Sequence, residues 1–456
     1  MSSMVNQLSS SRPTFPVSKR AAAGLLACLL LSGCGIGDWF SGDDDGPKLG
    51  GNRISVLQLD RQLEVDAQVS ALQVDLPPAE ANADWSQPGR TPTHAIGHLA
   101  LPDTLREAWS VSIEGNGTGT RLLSGPIIAG GRVYVLDTDY DLHALDERTG
   151  RSVWVRNMRR EGQEGEALGG GVTFGEGRLY VTTGFGEALA VNPDNGDVIW
   201  RQKIAGPIRS APVVAGGRVF VVASDNQLIT LAADSRVLQW FHTGLVESAA
   251  LLGGSSVAVE GDTVVVPYSS GEVYALRVEN GRQNWQDSLS TLRRGATLSS
   301  LSDIRGLPVI DRGQVFAVSY SGRMAAIDLR TGQRVWEQDV GGLTTPAVVG
   351  DWVFVTTSDS QVVALTRNSG RVRWMSQLAQ YEDPEDRKDP IIWSGPLVAG
   401  GRLILVSSTG EMVEMSPADG AVIRKRELPD PVTVPPVVAN NTLYILTTDG
   451  ELVAYR

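Results

Sequence analysis

A repeated segment limits what this chain can fold into more than any other feature. Gly125–Trp154 reads GPIIAGGRVYVLDTDYDLHALDERTGRSVW, Ala211–Trp240 reads APVVAGGRVFVVASDNQLITLAADSRVLQW, and Thr345–Trp374 reads TPAVVGDWVFVTTSDSQVVALTRNSGRVRW. Further copies run Gly171–Trp200, Ser256–Trp285 and Leu307–Trp336. A seventh, Gly395–Arg424, has Arg424 at the tryptophan position, and an eighth starts at Pro435 and reaches Arg456 without a tryptophan. Strand-like sequence repeating at this spacing means an array or a propeller.

Each unit holds four short apolar runs separated by turn chemistry. In the first, Pro126–Ala129 is a strand, Gly130-Gly131 a hairpin signal, Val133–Leu136 a β-branched and aromatic run, Leu142–Leu145 a third strand, and Ser152–Arg156, with Trp154, a fourth. Four antiparallel strands per unit match a propeller blade. A helical reading fails, because no unit sustains apolar residues at i, i+3, i+4, i+7 and glycine interrupts too often. Glycine stands four residues before the tryptophan at Gly150, Gly196, Gly281, Gly332 and Gly370; the third unit has Arg236 there, and the seventh keeps Gly420 without the tryptophan. A large ring can pack on a neighbouring blade where glycine leaves room, so Trp109, Trp154, Trp200, Trp240, Trp285, Trp336 and Trp374 are read as structural. A ligand-binding belt would not recur once per unit on the same strand. Seven full units and a three-strand remnant leave one strand missing. Leu105–Glu114 offers it, with Trp109 lying 45 residues before Trp154. The expected fold is all-β: an eight-bladed propeller of four-stranded antiparallel blades, closed by an N-terminal strand pairing with the C-terminal blade.

Residues 1–20 carry Arg12, Lys19 and Arg20 and no acid, and residues 21–31, AAAGLLACLLL, are apolar. That run is too short to span a bilayer, which takes about 20 residues. It reads as a signal-peptide core. It ends in Leu31-Ser32-Gly33-Cys34, which resembles a bacterial lipobox. The resemblance implies cleavage after Gly33, diacylation of Cys34, and, with Gly35 following, sorting to the outer membrane; several acyl chains make a stable anchor where one does not. The expected organisation is a lipoprotein signal peptide over 1–33, a lipidated flexible tether over 34–80, rich in Gly and Asp at its start and weakly alternating over 53–75, where it could add a strand or short helix, and a propeller over 81–456. Trp85 is expected to dock on the propeller.

The cysteines are Cys28 and Cys34, so the mature domain has no thiol and no disulfide even in an oxidising compartment. Losing the three basic residues of 1–33 takes the formal charge from −12 to −15. That argues against nucleic acid or an anionic surface as the main partner. His94 and His98 are four apart but lie among Pro92, Gly97 and Pro102, with no third ligand to make a zinc set. Gly115-x-Gly117-x-Gly119 lacks the strand–helix context of a dinucleotide fingerprint. No P-loop, G-x-S-x-G or tuned carboxylate pair stands out, so no catalytic residue, cofactor or metal is expected. Three interblade linkers are distinctive, and loops are where function concentrates. Leu245–Ser256 is unusually apolar, and Gln286–Gly306 contains Leu301-Ser302-Asp303-Ile304-Arg305; both suit either packing on the rim or a binding role. The charged run YEDPEDRKDP at 381–390 reads as a solvated loop.

Taken together, the lipobox, the eight repeats and the missing catalytic set resemble the BamB family, lipoprotein subunits of the outer-membrane β-barrel assembly (BAM) complex. The repeat itself is the PQQ-type motif, which specifies only the fold. The resemblance implies a periplasm-facing scaffold at the outer membrane. It would bind the POTRA domains of BamA within the complex and support delivery of unfolded outer-membrane proteins. It also implies that the BamA contact uses the loops between blades three and four and between four and five. The matching positions are Leu251 and Leu252 before Gly253-Gly254, and Asp303. Leu252 stands where the family pattern has arginine and Arg305 where it has a second aspartate, which is compatible with a charge swap between partners. Pairing of substrate with exposed outer blade strands is a further possibility. The rivals are a quinoprotein, which typically has adjacent cysteines against its quinone, absent here, and a periplasmic ligand sensor.

Overall fold

The first blade is built from Ile127–Ala129, Arg132–Leu136, Asp141–Asp146 and Ser152–Asn157, paired antiparallel in chain order from the channel outward. The computed structural model describes residues 63–113, 124–246, 253–290 and 302–456, all within one unit, Arg61–Arg456. Among them are eight four-stranded sheets and one two-stranded hairpin. The eighth sheet takes its outer strand, Glu107–Ser112, from the N-terminal side of the chain; it pairs with Glu451–Tyr455, with Trp109 opposite Ala454. Reciprocal backbone bonds between Arg106 and Arg456, 2.7 and 2.8 Å, extend this seam to the last residue. The fold is the expected eight-bladed propeller.

Adjacent blades are joined by one recurring contact. The indole Nε1 of each of the seven repeat tryptophans donates to a backbone carbonyl of the next blade, at 2.6–3.1 Å. The acceptor stands three residues before the glycine position: Glu147 for Trp109, Val278 for Trp240, Pro417 for Trp374. The ring lies flat on that glycine. A Cβ at Gly150, Gly281 or Gly420 would sit 2.6 Å from the indole of the preceding blade. These glycines also have φ of 70–73°, a region costly for residues with a Cβ. Arg236 keeps the same turn at φ 62°, and its blade still receives the Trp200 indole, at Ala233. In six blades a tyrosine or phenylalanine of the second strand tilts against that blade's tryptophan, with centroids about 6 Å apart.

The missing tryptophan has a structural reason. Blade seven would send its indole to blade eight, whose outer strand arrives from the other end of the chain. Blade eight therefore has no hairpin there to offer a glycine and a carbonyl. Arg424 instead donates to the Asp103 carbonyl at 3.0 Å. Behind it, Glu414, 1% exposed, pairs with Arg402 at 2.7 Å and Arg424 at 3.4 Å.

The N-terminal part of the described chain departs from the expected tether. Residues 66–76 lie against blade six: the Asp66 amide donates to the Val372 carbonyl at 2.9 Å, Val69 is buried, and Val74 and Leu76 pack on the core of blades six and seven. Alternating apolar residues and an acid within reach of Arg371 give this stretch something to bind. The charged run 381–390 forms the exposed hairpin Tyr381–Asp383/Lys388–Pro390.

Replacing a packed glycine is expected to cost far more than replacing an equally left-handed but open one. Gly281→Ala meets the Trp240 ring, whereas Gly261, at φ 59°, has nothing within 4 Å. Left-handed strain of about 1 kcal/mol applies to both, and overpacking adds about 2 kcal/mol at Gly281. Urea unfolding midpoints of the two variants, compared with the parent, measure the difference.

Candidate functional site

A central cavity of about 250 Å³ runs down the propeller, and its two ends differ. One end is closed by residues 80–101, which make a circuit along the inner strands. The Asn82 side chain donates to Val438 in blade eight at 2.7 Å. Trp85 exchanges two backbone bonds with Ile128 in blade one, and the Ser86 carbonyl accepts the Phe174 amide in blade two. The Gln87 side chain pairs with the Val214 backbone in blade three at 2.9 and 3.0 Å. Pro92 accepts from Val259 in blade four, Thr93 from Ile310 in blade five, and Leu99 bonds Val398 in blade seven. This girdle satisfies inner-edge backbone groups that the blades cannot pair among themselves, and buried backbone groups require such partners. The two histidines belong to it. His98 lies 2.7 Å from the Pro77 carbonyl and accepts the Gly401 amide at 2.8 Å. His94 is buried, 2.8 Å from the Pro308 carbonyl.

The other end is the mouth, rimmed by the interblade linkers. Here the structure brings together the two loops singled out in the sequence. The Arg305 guanidinium, from the loop between blades four and five, lies where a Gly253 side chain would project from the loop between blades three and four. Gly253 has φ 111°, so glycine serves both the backbone and the arginine. Arg305 is half-buried and is the only charged side chain among the described residues lining the cavity. Asp303 is only 5% exposed, and its carbonyl accepts the Tyr320 amide at 2.9 Å. That backbone bond helps to fix the loop's path. Leu251, Leu252 and Cys34 lie outside the described residues.

The first loop is pinned at its root. The Gly244 amide donates to the Asn226 carbonyl, the Asn226 side chain to the Leu245 carbonyl at 2.6 Å, and the Leu245 amide to Glu272 at 2.9 Å. His242 Nδ1 lies 2.8 Å from the Tyr268 hydroxyl with the two rings stacked. Burial holds the His242 pKa below its ordinary value, opposed by the Glu272 carboxylate. Sequence reading missed this cluster, because its members come from three separate segments with no spacing rule. No group of three or more His, Cys, Asp or Glu able to hold a metal occurs among the described residues. Among the described residues the mouth thus offers shape, a few apolar groups and the cations Arg305 and, beside Gly254, Arg209, a set suited to recognition.

Such a propeller, with a channel closed at one end and loops at the other, defines a class of repeat scaffold shared by proteins of different function. The model of the family described as "Outer membrane protein assembly factor BamB" matches residues 99–164, 141–376 and 382–456. The chain belongs to that family. It is 27% identical to the outer membrane protein assembly factor BamB of Salmonella typhimurium over 437 residues, 94% of this chain and 97% of that one. It is 29% identical to the Escherichia coli K12 protein of the same name over 368 residues, 79% and 91% of the two chains. Among solved structures, BamB from Moraxella catarrhalis superposes with a TM-score of 0.65 at 19% identity, covering 77% of this chain and all of that one. Quinohemoprotein alcohol dehydrogenase from Comamonas testosteroni does so at 0.64 and 14%, covering 85% and 83%, a likeness of fold alone.

Protonation of His94 should loosen the girdle in acid. Burial pushes its pKa down to about 4 from 6.5. The unfolded chain takes up the proton below about pH 6.5 and the folded one only near 4. The stabilisation is therefore full above pH 6.5 and lost as pH falls to 4, by about 3 kcal/mol. His94→Asn, whose side chain tolerates the φ of 59°, is expected to remove that part of the slope. Stability titrations of both proteins between pH 7 and 4 check it.

Proposed function

We propose that this protein is a non-catalytic scaffold subunit of the BAM complex. It is anchored through lipidated Cys34 to the outer membrane and faces the periplasm. It binds the POTRA domains of BamA through the mouth loops between blades three and four and between four and five. There it assists delivery and insertion of unfolded outer-membrane proteins. The observation that carries this reading is the likeness to BamB assembly factors across nearly the whole chain, joined to the meeting of those two loops at Gly253 and Arg305. Anchoring of the first loop at its root suits the task, because a preorganised surface loses little entropy on binding. In this reading Leu251, Leu252 and Arg305 make the contact and Asp303 holds its loop.

The propeller scaffold by itself is also compatible with quinone chemistry, but no carboxylate lines the cavity among its described residues to hold a calcium ion, and the mature chain has no cysteine pair to lie against a quinone.

Tagged protein from detergent-solubilised outer membranes is expected to bring down BamA. A Leu252→Glu, Arg305→Glu variant that keeps its circular-dichroism spectrum is expected to lose it. Retention by the variant would move the contact elsewhere, and absence from both samples would sink the scaffold reading. Cys34→Ala is expected to shift the protein out of the membrane fraction, with loss of the acyl mass in intact-protein mass spectrometry.

A further inference from the structure

One position of the repeat sets how each interblade linker leaves its blade. Four residues after the tryptophan position, seven blades carry an apolar residue that is buried, as Met158, Ile204, Leu289 and Leu428 show. In blades one, four and seven its amide bonds the carbonyl of the left-handed residue that closes the turn between the second and third strands: Met158 to Tyr140 at 2.8 Å, Leu289 to Gly271 at 2.7 Å, Leu428 to Gly410 at 2.7 Å. A buried apolar plug and a backbone bond thus root these linkers. Blade three breaks the rule. Its residue there is Gly244, which keeps the backbone bond, to Asn226 at 2.8 Å, and brings no plug. The buried ring of Tyr268, from blade four, lies where a Gly244 side chain would project.

A polar bracket takes the plug's place. Asn226 is buried and stands at the left-handed position of its turn, φ 59°, where five blades have glycine. Its side-chain NH2 donates to the Leu245 carbonyl at 2.6 Å, and its side-chain oxygen accepts the amide and hydroxyl of Ser269, in blade four, at 3.1 and 3.0 Å. From the other side Glu272 accepts the Leu245 amide at 2.9 Å and the hydroxyls of Ser270 and Tyr274 at 3.0 and 2.8 Å. Side chains of blades three and four therefore bind both polar groups of the Leu245 backbone. With its backbone held and no apolar slot beneath it, the chain turns Leu245 and Val246 outward, 63% and 76% exposed. Fixing two adjacent large apolar side chains in water is unfavourable until a partner covers them.

We propose that Asn226 is a positioning residue for the partner contact: acting through the Leu245 carbonyl, and together with Glu272, it aims Leu245 and Val246 as an apolar tip at an apolar pocket of BamA. This rests on the proposed reading of the mouth as the BamA surface and adds the residues that set the loop's direction. A hydrogen-bonded bracket fixes a direction that an apolar plug does not, because hydrogen bonds are directional and burial is not. Since the bracket bridges blades three and four, the tip is tied to both, and the contact starts from one preset geometry.

The test measures affinity of the full mature lipoprotein, in detergent, for solubilised BamA. Asn226→Gly keeps the left-handed turn, which glycine serves in five other blades, and removes only the bracket. Ser360→Gly is the control: it is the same turn position in blade six, φ 56°, where buried Leu378 plugs the linker. Asn226→Gly is expected to weaken BamA binding about tenfold and to speed hydrogen exchange of the Leu245 amide to a similar degree. Ser360→Gly is expected to change neither. Leu245→Ser with Val246→Ser, at exposed sites, is expected to weaken binding at least as much with the urea midpoint unchanged. Unaltered affinity or unaltered exchange in Asn226→Gly would overturn the proposal. So would an equal loss in Ser360→Gly, or an affinity that falls only in step with the urea midpoint, which would leave Asn226 a purely structural role. If the parent protein itself fails to bind BamA, the contact reading and this inference fall together. If the parent binds and Asn226→Gly binds as well, only this inference falls.

Discussion

The contact between an indole and the turn of the next blade underlies the whole ring. A four-stranded blade has two faces and cannot bury either alone, so each must be covered by a neighbour at a fixed angle. The tryptophan does this with one large apolar surface and one directional donor. The ring fills space above a glycine, and the Nε1 proton finds a carbonyl three residues earlier, as with Trp240 on Gly281 and Val278. Repeating the same bond at nearly the same length sets seven interblade steps to a similar angle, and the Arg424 contact at the seam makes the eighth.

Closure itself draws on two different pieces of the N-terminal chain. Glu107–Ser112 completes the last blade and ends the sheet edges that an open ring would expose. Residues 80–101 run the other way, along the inner strands, and occupy backbone groups at one end of the channel. The price is the buried histidine at 94, whose neutral form the site requires. With inner edges occupied and one end shut, the surfaces left for partners are the mouth and the outer wall. The loop between blades three and four is held at its root by side chains from neighbouring strands.

Much of the fold was legible because propeller blades are local structures. Alternating apolar runs, Gly-Gly hairpins and the glycine–tryptophan spacing all lie within one unit, and the strand missing from the last unit pointed to Glu107–Ser112. The lipobox at Leu31–Cys34 was equally local. The candidate loops were visible as irregular linkers, and their residues could be proposed only through likeness to a family. What escaped was whatever depends on neighbours distant in sequence. Asp66 to Leu76 read as tether because its partners, Val372 and Arg373, lie 300 residues away. His94 and His98 read as a chance pair because the carbonyls they meet belong to other segments. Arg424 read as a lapse in the repeat until the seam showed that no indole acceptor exists there.

The sequence by itself determined the blade, the number of blades and the strand that closes them, since period and turn chemistry are properties of adjacent residues. Only the tertiary structure decided which end of the channel is open, that Gly253 and Arg305 meet at its mouth, and which outer strands stay uncovered. Those outcomes depend on where a closed ring places segments far apart in the chain, and on which backbone groups remain unpaired once it has closed.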